Sequence, residues 1–272
     1  MANSVNTNVG ALVALQNLNA TNAELAATQT RINTGKKVAS AKDNGAIFAI
    51  AQNQRAASNA LNSVRESLQR NQSAVEVAIS AGETISDVLL QLKEKALAAR
   101  DSGLDTTSRN ALNTEFKTLL TQITKAVTNA DFNGSNLIKQ GGTTIKALAN
   151  SDATSVITVQ AQTLTLTALS INTNTLGSTA AASLAIAAVN AAITEVSSKL
   201  SALGTGAKAL SNHLNFVNKL QDTIDAGIGN LVDADLAKES ARLQALQTKQ
   251  QLGVQALSIA NQSSSILLGL FR

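Results

Sequence analysis

One stretch of the sequence decides the fold: residues 47–99, IFAIAQNQRAASNALNSVRESLQRNQSAVEVAISAGETISDVLLQLKEKALAA. Apolar side chains recur in it at alternating steps of three and four residues, a spacing that places them on one stripe of an α-helix. The stripe runs through Ile47, Ile50, Gln54, Ala57, Leu61, Val64, Leu68 and onward to Leu89, Leu92, Ala96 and Ala99. At about 1.5 Å per residue this helix is about 80 Å long. Such a rod cannot bury its own stripe, so the sequence predicts other helices packed beside it.

Two more segments have the same period and supply those helices. Asp105, Thr106 and Thr107 offer capping groups for the first of them, and Asn133-Gly134 is a strong turn signal after it. The apolar positions of the two segments are Leu112, Phe116, Leu119, Ile123, Ala126 and Ala130, and then Ile186, Val189, Ile193, Val196, Leu200, Leu203, Ala207, Leu210, Leu214, Val217, Ile224 and Ile228. We therefore predict a mainly α, elongated, coiled-coil-like helical bundle.

The composition agrees with long, closely packed helices. Of 272 residues, 44 % are apolar but only 2 % are aromatic, and proline is absent. Small aliphatic side chains suit narrow seams between helices, and the lack of proline permits long uninterrupted rods. Cysteine is also absent, which excludes disulfides, thiolate metal sites and a catalytic thiol.

Residues 141–178 have a different texture, rich in Thr, Ser and Asn. Two stretches in it, Ser155 to Ala161 and Leu164 to Ala168, alternate apolar and polar residues. Alternation with β-branched side chains predicts short strands, so we expect a small β-hairpin element within residues 135–178.

The two ends of the chain carry the clearest functional signal. Residues 1–23 and 250–271 contain no charged side chain, although each end keeps an apolar helical stripe. Helices faced with Asn, Gln, Ser and Thr can be packed on all sides without burying unpaired ions. We expect the two terminal helices to pair and to pack on other copies of the chain, the alternative being frayed termini. The candidate interface residues are Leu12, Leu15, Leu18, Leu25, Ile32, Leu236, Leu243, Leu246, Leu257, Leu267, Leu268 and Phe271.

Other function classes find little support in the residues. The formal charge is +4, but the 22 Lys and Arg are scattered among 18 acids without an aromatic platform, which argues against nucleic-acid binding. No signal peptide is visible, and the longest candidates for a membrane span, such as residues 265–271, are too short. His213 is the sole histidine, so no catalytic, metal or cofactor site is predicted. Gly204-Thr205-Gly206 fails the spacing of a phosphate loop and is interpreted as a flexible point in a helix.

Three segments resemble the bacterial flagellin family. RINTGKKVASAKDNGAIFAIA (residues 31–51) is similar to the signature that enters the family's long N-terminal helix, and DFNGSNLI (131–138) resembles the turn after its second core helix. Residues 231–272 are similar to the family's closing helix almost throughout. The chain most resembles the short flagellins of alphaproteobacteria.

The resemblance implies a secreted structural subunit that polymerises into the hollow filament of the bacterial flagellum and serves motility. Residues 1–45 and 229–272 would form an inner tube domain, and residues 46–228 an outer helical bundle. The implied partners are further copies of the chain, sister flagellins, an export chaperone, the type III export apparatus, a cap protein and the hook–filament junction protein, but no membrane. The alternatives are a junction protein itself, or a cytosolic coiled-coil adaptor. Flagellins often carry sugars, so Thr143, Thr144, Ser151, Thr154 and Ser155 are either O-glycosylation acceptors or simply strand-forming, solubilising residues.

Overall fold

The computed structural model describes the backbone of residues 7–269 and the side chains of residues 7–262. It confirms the predicted fold class, because the described chain is mainly helical with one small antiparallel sheet. In chain order the elements are α1 (Val9–Thr34), α2 (Gly45–Ala99), α3 (Thr106–Asn129), β1 (Ile145–Leu148), β2 (Val156–Val159), α4 (Thr179–Val232) and α5 (Leu236–Gly269).

The chain folds as two compact units. The terminal unit comprises the residues up to Ala56 together with those from Thr223 onward, and the central unit is Ala57–Asp222. Helices α2 and α4 contribute residues to both units.

The core of the central unit lies along the predicted stripe of α2. From Leu61 to Ala99 nearly every stripe position is buried, and Leu68, Ile85, Leu89 and Leu92 are fully so. Helix α3 contributes Phe116, Leu120 and Ile123 to this core, and α4 contributes Ala185, Val189, Ala192 and Val196. Small side chains on α4 allow the helices to approach closely, as the composition suggests.

The stripe departs from the prediction at the start of α2, in the terminal unit. Ile50 is exposed and so is Gln54, whereas Ala51 is fully buried. Ala51 packs in a small core with Val38, Ile228 and Val232, and Phe48 lies against it. The buried face is set here by the neighbouring residues of this unit, so the prediction that Ile50 faces a helical seam is wrong.

An arginine completes the turn between α2 and α3. Asp105 caps α3 as predicted, its carboxylate accepting a hydrogen bond of 3.1 Å from the Ser108 amide. One turn later Arg109 is buried, and its guanidinium donates to the carbonyls of Ala99, Asp101 (2.9 Å) and Leu104 (3.3 Å). The last carbonyls of a helix have no partner within it, so Arg109 supplies the donors that the end of α2 needs.

The β-hairpin confirms one predicted strand and corrects the other. Strands β1 and β2 pair antiparallel, with Ile145 opposite Val159 and Leu148 opposite Val156, so the stretch from Ser155 does form a strand. The stretch Leu164 to Ala168 does not, because it begins a turn in which the Leu169 amide donates to the Thr165 carbonyl. Its apolar residues serve the core instead, and Leu164 and Leu169 are buried.

Two side chains hold this hairpin on the bundle. The Leu148 amide donates to the Ser67 hydroxyl of α2 at 3.3 Å, and His213 Nε2 of α4 lies 2.7 Å from the Ala149 carbonyl oxygen. The single histidine is therefore engaged with the backbone of the hairpin. Among the described residues no group of His, Asp and Glu has the arrangement of a metal site.

Gly206 of α4 is needed for close packing and not for flexibility, because α4 continues through it as an unbroken helix. A Cβ at Gly206 would lie 2.6 Å from Val159 Cγ1 of β2, whereas no described atom lies within 4 Å of a Cβ at Gly204. The interpretation of both glycines as one flexible point is thus corrected for Gly206.

These two glycines form a matched pair for a stability measurement. Gly204→Ala should raise the free energy of unfolding by about 1 kcal/mol, the difference in helix propensity between the two residues. Gly206→Ala gains the same propensity but must displace Val159, so it should be less stable than Gly204→Ala by about 1–3 kcal/mol. Urea unfolding followed by circular dichroism measures both. Equal stabilisation of the two variants would contradict the close approach of β2 to α4.

The expectation that the candidates for a membrane span are all too short is wrong for helix α4. It is the one described helix with a window apolar enough, by length and composition, to cross a membrane. The start of α4 is rich in alanine, and its residues Ala182, Ala185 and Val189 are buried in the core of the central unit. The core helix of a bundle passes the same composition test, so the finding is weak evidence for a span.

Candidate self-assembly surface

Helices α1 and α5 pack against each other in the terminal unit, as the stripes at the two ends predict. Polar groups join them along their length. Asn8 caps α1 through the Ala11 amide (3.0 Å) and also donates its amide to the Ala260 carbonyl on α5 (2.6 Å). Farther along, the Gln250 amide donates to Asn22 Oδ1 at 2.7 Å. In the uncharged segments of α1 and α5, hydrogen bonds from side-chain amides thus take the place of ion pairs.

Among the described residues, the ion pairs between the two helices lie in their charged parts. Arg31 lies 3.3 Å from Glu239, and Arg242 lies 3.5 Å from Glu24. The second pair is half exposed and contributes little, since exposed pairs are worth about 0–1 kcal/mol. Glu239 is buried, so its ion pair with Arg31 contributes more to the packing of the N-terminal end of α5 against α1.

The chain between α1 and α2 lies against the end of α4. Gly35 ends α1 in the left-handed conformation at φ 66°, and the Lys37 amide then donates to the Val232 carbonyl at 2.7 Å. Asp43 accepts hydrogen bonds from the Ser40 and Ala39 amides, and the Ser40 bond above all lowers the pKa of its carboxyl group. A lowered pKa means that this stabilisation is present above pH 3.8, the ordinary value, and is lost as the pH falls below it.

The seam between α1 and α5 is narrow. Among the described side chains of the two helices, the buried ones are Thr21 and Thr28 on α1 and Glu239 and Leu246 on α5. Leu18 lies over Gly253, where an added Cβ would be 3.3 Å from Leu18 Cδ1. A pair of helices that buries so few apolar side chains gains little from its own contact.

Large apolar side chains remain uncovered on both helices of the pair. The exposed fraction is 57 % for Leu12, 59 % for Leu252 and 68 % for Ile259, and Val13 and Val254 are more than half exposed. They stand on the segments without any charged residue, so no charge disfavours their contact with another protein surface. Exposed large apolar residues occur elsewhere too, Leu184 of α4 among them, but those of α1 and α5 lie on uncharged segments and together mark a candidate interaction surface.

The structure distributes the predicted interface residues over three environments. Leu246 is buried, five others are half-buried between the helices, and three are exposed. The half-buried ones are Leu18, Leu25, Ile32, Leu243 and Leu257, and the exposed ones are Leu12, Leu15 and Leu236. Leu267, Leu268 and Phe271 lie outside the described side chains.

The single stripe used for the prediction misses several exposed residues. Val13, Leu252, Val254 and Ile259 point away from the seam and are not on that stripe. A search for apolar residues at every position of an uncharged helix would have identified them. Such a helix has no charged face that must remain in solvent.

Comparisons with known proteins bear on the same two ends. Residues 5–143 match the family described as the bacterial flagellin N-terminal helical region, and residues 186–271 match the bacterial flagellin C-terminal helical region. The chain belongs to the bacterial flagellin family. The family match includes α1 and α5, the helices that carry the uncovered apolar surface.

Full-length relatives support this assignment. This flagellin is 59 % identical to the flagellin FljM of Caulobacter vibrioides, over 99 % of each chain. It is 37 % identical to a flagellin of Brucella melitensis, again over 99 % of both chains. The crystal structure of Bacillus cereus flagellin has the same fold, with a TM-score of 0.52 at 20 % identity, covering 56 % of this chain and 88 % of that one.

The family gives this flagellin its function and location. It is a structural subunit of the bacterial flagellar filament, exported from the cell and polymerised with its own kind and with sister flagellins. No finding favours the junction protein or the cytosolic adaptor considered above.

Proposed function

We propose that the filament is held together at its centre by the paired helices α1 and α5, whose uncovered apolar residues pack on those of neighbouring subunits. The supporting observation is the exposure of Leu12, Leu252 and Ile259 on segments that carry no charge. Removing such side chains from water favours assembly by about 25 cal/mol per Å² of buried apolar area. Every subunit in the filament adds the same contribution. The role is mechanical, and we propose no catalytic activity for this chain.

The proposed interface joins different surfaces of successive subunits. We propose that a copy docking on the pair makes a heterologous contact, because a contact of that kind that does not close into a ring leads to an open helical assembly. Residues 1–45 and 229–272 then form the inner tube domain, and residues 46–228 the outer bundle. The most buried positions in the filament include Leu18, Leu25, Leu257, Leu267 and Phe271.

Other partners follow from the route that such a subunit takes. We propose that an export chaperone holds the C-terminal helix before passage through the type III export apparatus, because uncovered apolar surface would otherwise aggregate. The cap protein would guide addition at the tip, and the junction protein would receive the first subunits.

Among the five candidate O-glycosylation residues, Thr143 and Ser155 are the better acceptors. Both are exposed. The Thr144 hydroxyl lies 3.2 Å from the Gln160 side chain, and the Thr154 hydroxyl accepts from the Asn150 amide at 2.6 Å. The Ser151 hydroxyl is 3.4 Å from Asp152. A hydroxyl already engaged is less available for modification.

The absence of cysteine allows a direct test of the proposed interface. A single thiol at Ile259→Cys should react quickly with a maleimide in the monomer and at least about tenfold more slowly in the filament, because the site becomes covered. Thr154→Cys, in the turn of the hairpin, should react at similar rates in both states. Equal rates for Ile259→Cys in monomer and filament would rule out the proposed packing of α5.

A further inference from the structure

A groove with a mainly apolar surface and a few polar groups runs along α3 in the central unit. Its other wall is the chain from Thr165 to Thr175, and it consists of two adjoining pockets of about 470 and 310 Å³. The two pockets adjoin at Thr124, Leu166 and Asn172, which line both of them. Sites for small molecules have volumes of roughly 300–1,000 Å³.

The α3 wall of this groove presents hydrogen-bond acceptors. The hydroxyls of Thr121, Thr124 and Thr128 each donate to the backbone carbonyl one turn earlier, at 3.0, 3.2 and 2.8 Å. Because each hydroxyl proton is used within the helix, the oxygen is left with a lone pair for an incoming donor. A ligand that fits this wall therefore carries hydroxyl or amine hydrogens.

Positive charge stands at both ends of the groove. Lys117 lines the larger pocket and Lys139 the smaller one, and the described lining of both contains no Asp or Glu. Neither lysine forms an ion pair with a described residue. These groups call for a ligand with an anionic acceptor.

The groove is formed before any ligand enters. The segment that forms the opposite wall is anchored in the core by Leu164, Ile171 and Leu176, which are fully buried. At its end the Leu176 amide donates to Asn113 Oδ1 of α3 at 2.8 Å. Within this wall the Ile171 amide donates to the Leu166 carbonyl at 3.0 Å. A preformed site does not have to order its own chain on binding, which favours affinity.

We propose that this groove binds an acidic saccharide. The carboxylate pairs with Lys117 or Lys139, the sugar hydroxyls donate to the threonine oxygens of α3, and a C–H face of the ring lies on Leu166. An inorganic anion lacks the hydroxyl donors, and a neutral sugar lacks the charge. This binding activity is separate from polymerisation and does not depend on the helix pair.

The test is calorimetric titration of the full-length monomer with trigalacturonate, with neutral maltotriose and sodium sulfate as comparison ligands. Trigalacturonate should bind, and the two comparison ligands should bind at least about tenfold more weakly. Lys117→Gln and Lys139→Gln should each weaken the binding of trigalacturonate about tenfold, the effect of losing one charge-assisted hydrogen bond. Lys125→Gln removes the same charge from α3 outside the groove and should change the affinity less than twofold.

Three outcomes would overturn the proposal. They are no heat of binding with trigalacturonate at millimolar concentration, equal affinity for maltotriose, and equal weakening by Lys125→Gln and Lys117→Gln. The last would show that the net charge of the helix attracts the ligand without a defined site. Because the monomer is titrated, none of these results depends on filament formation.

Discussion

The Ile259→Asp chain should fold as a monomer and fail to polymerise. Ile259 is 68 % exposed in the isolated subunit, so a carboxylate there stays hydrated and disturbs no described contact. In the proposed filament the same carboxylate is buried without a partner, at a cost of several kcal/mol in every subunit. The pelleted fraction after seeding should therefore fall from most of the protein to the level of the seeds alone.

A matched variant separates this effect from that of added charge. Thr154→Asp adds the same charge in the exposed turn of the hairpin and should pellet like the unmodified chain. Both variants should keep the circular dichroism of the unmodified monomer. Pelleting of Ile259→Asp at the unmodified yield would contradict the proposal that α5 packs on neighbouring copies.

Arg109→Ala should lower the free energy of unfolding of the central unit by about 3 kcal/mol. The guanidinium is buried and donates to three carbonyls at the end of α2 and in the turn after it. Alanine removes the side-chain donor from all three carbonyls, of which Asp101 keeps the Leu104 amide at 3.5 Å, and opens a cavity beside Ala99. Both effects oppose folding. Thermal or urea unfolding of the monomer gives the difference directly.

Arg100→Ala is the natural control, because Arg100 is the residue that follows α2 and is exposed. It removes the same side chain within ten residues and should change the free energy of unfolding by less than about 0.5 kcal/mol. If both alanine variants lose the same stability, Arg109 does not act as the cap of α2.

The long helices were predictable from the sequence because their packing is repetitive. The stripe from Leu61 to Ala99 faces helices of the same period, so a rule about spacing is enough to identify its buried face. The rule fails at Ile50, where Val38 from the segment after α1 joins Val232 of α4 and the buried face passes through Ala51. Spacing predicts a face only as far as the neighbouring element stays the same.

The hairpin and the turn were harder to predict because long-range contacts decide them. Leu164 to Ala168 alternates like a strand, yet Leu164 fills the core and its amide donates to the Ile138 carbonyl in an irregular segment. Arg109 has no local signature at all, since its role depends on carbonyls up to ten residues earlier in the chain. In the candidate interface, the lack of charge identified the right helices, but the side chains that face outward required the structure.

In the proposed assembly, apolar residues of the terminal helix pair build the filament. Negative-stain electron microscopy tests this when the unmodified chain and Ile259→Asp are each added to sheared filament seeds under the same conditions. The unmodified chain should give long, uniform tubes, and the variant should give no growth beyond the seeds. Tubes of equal length from both chains, or a monomeric unmodified chain with both ends intact, would contradict the proposed packing.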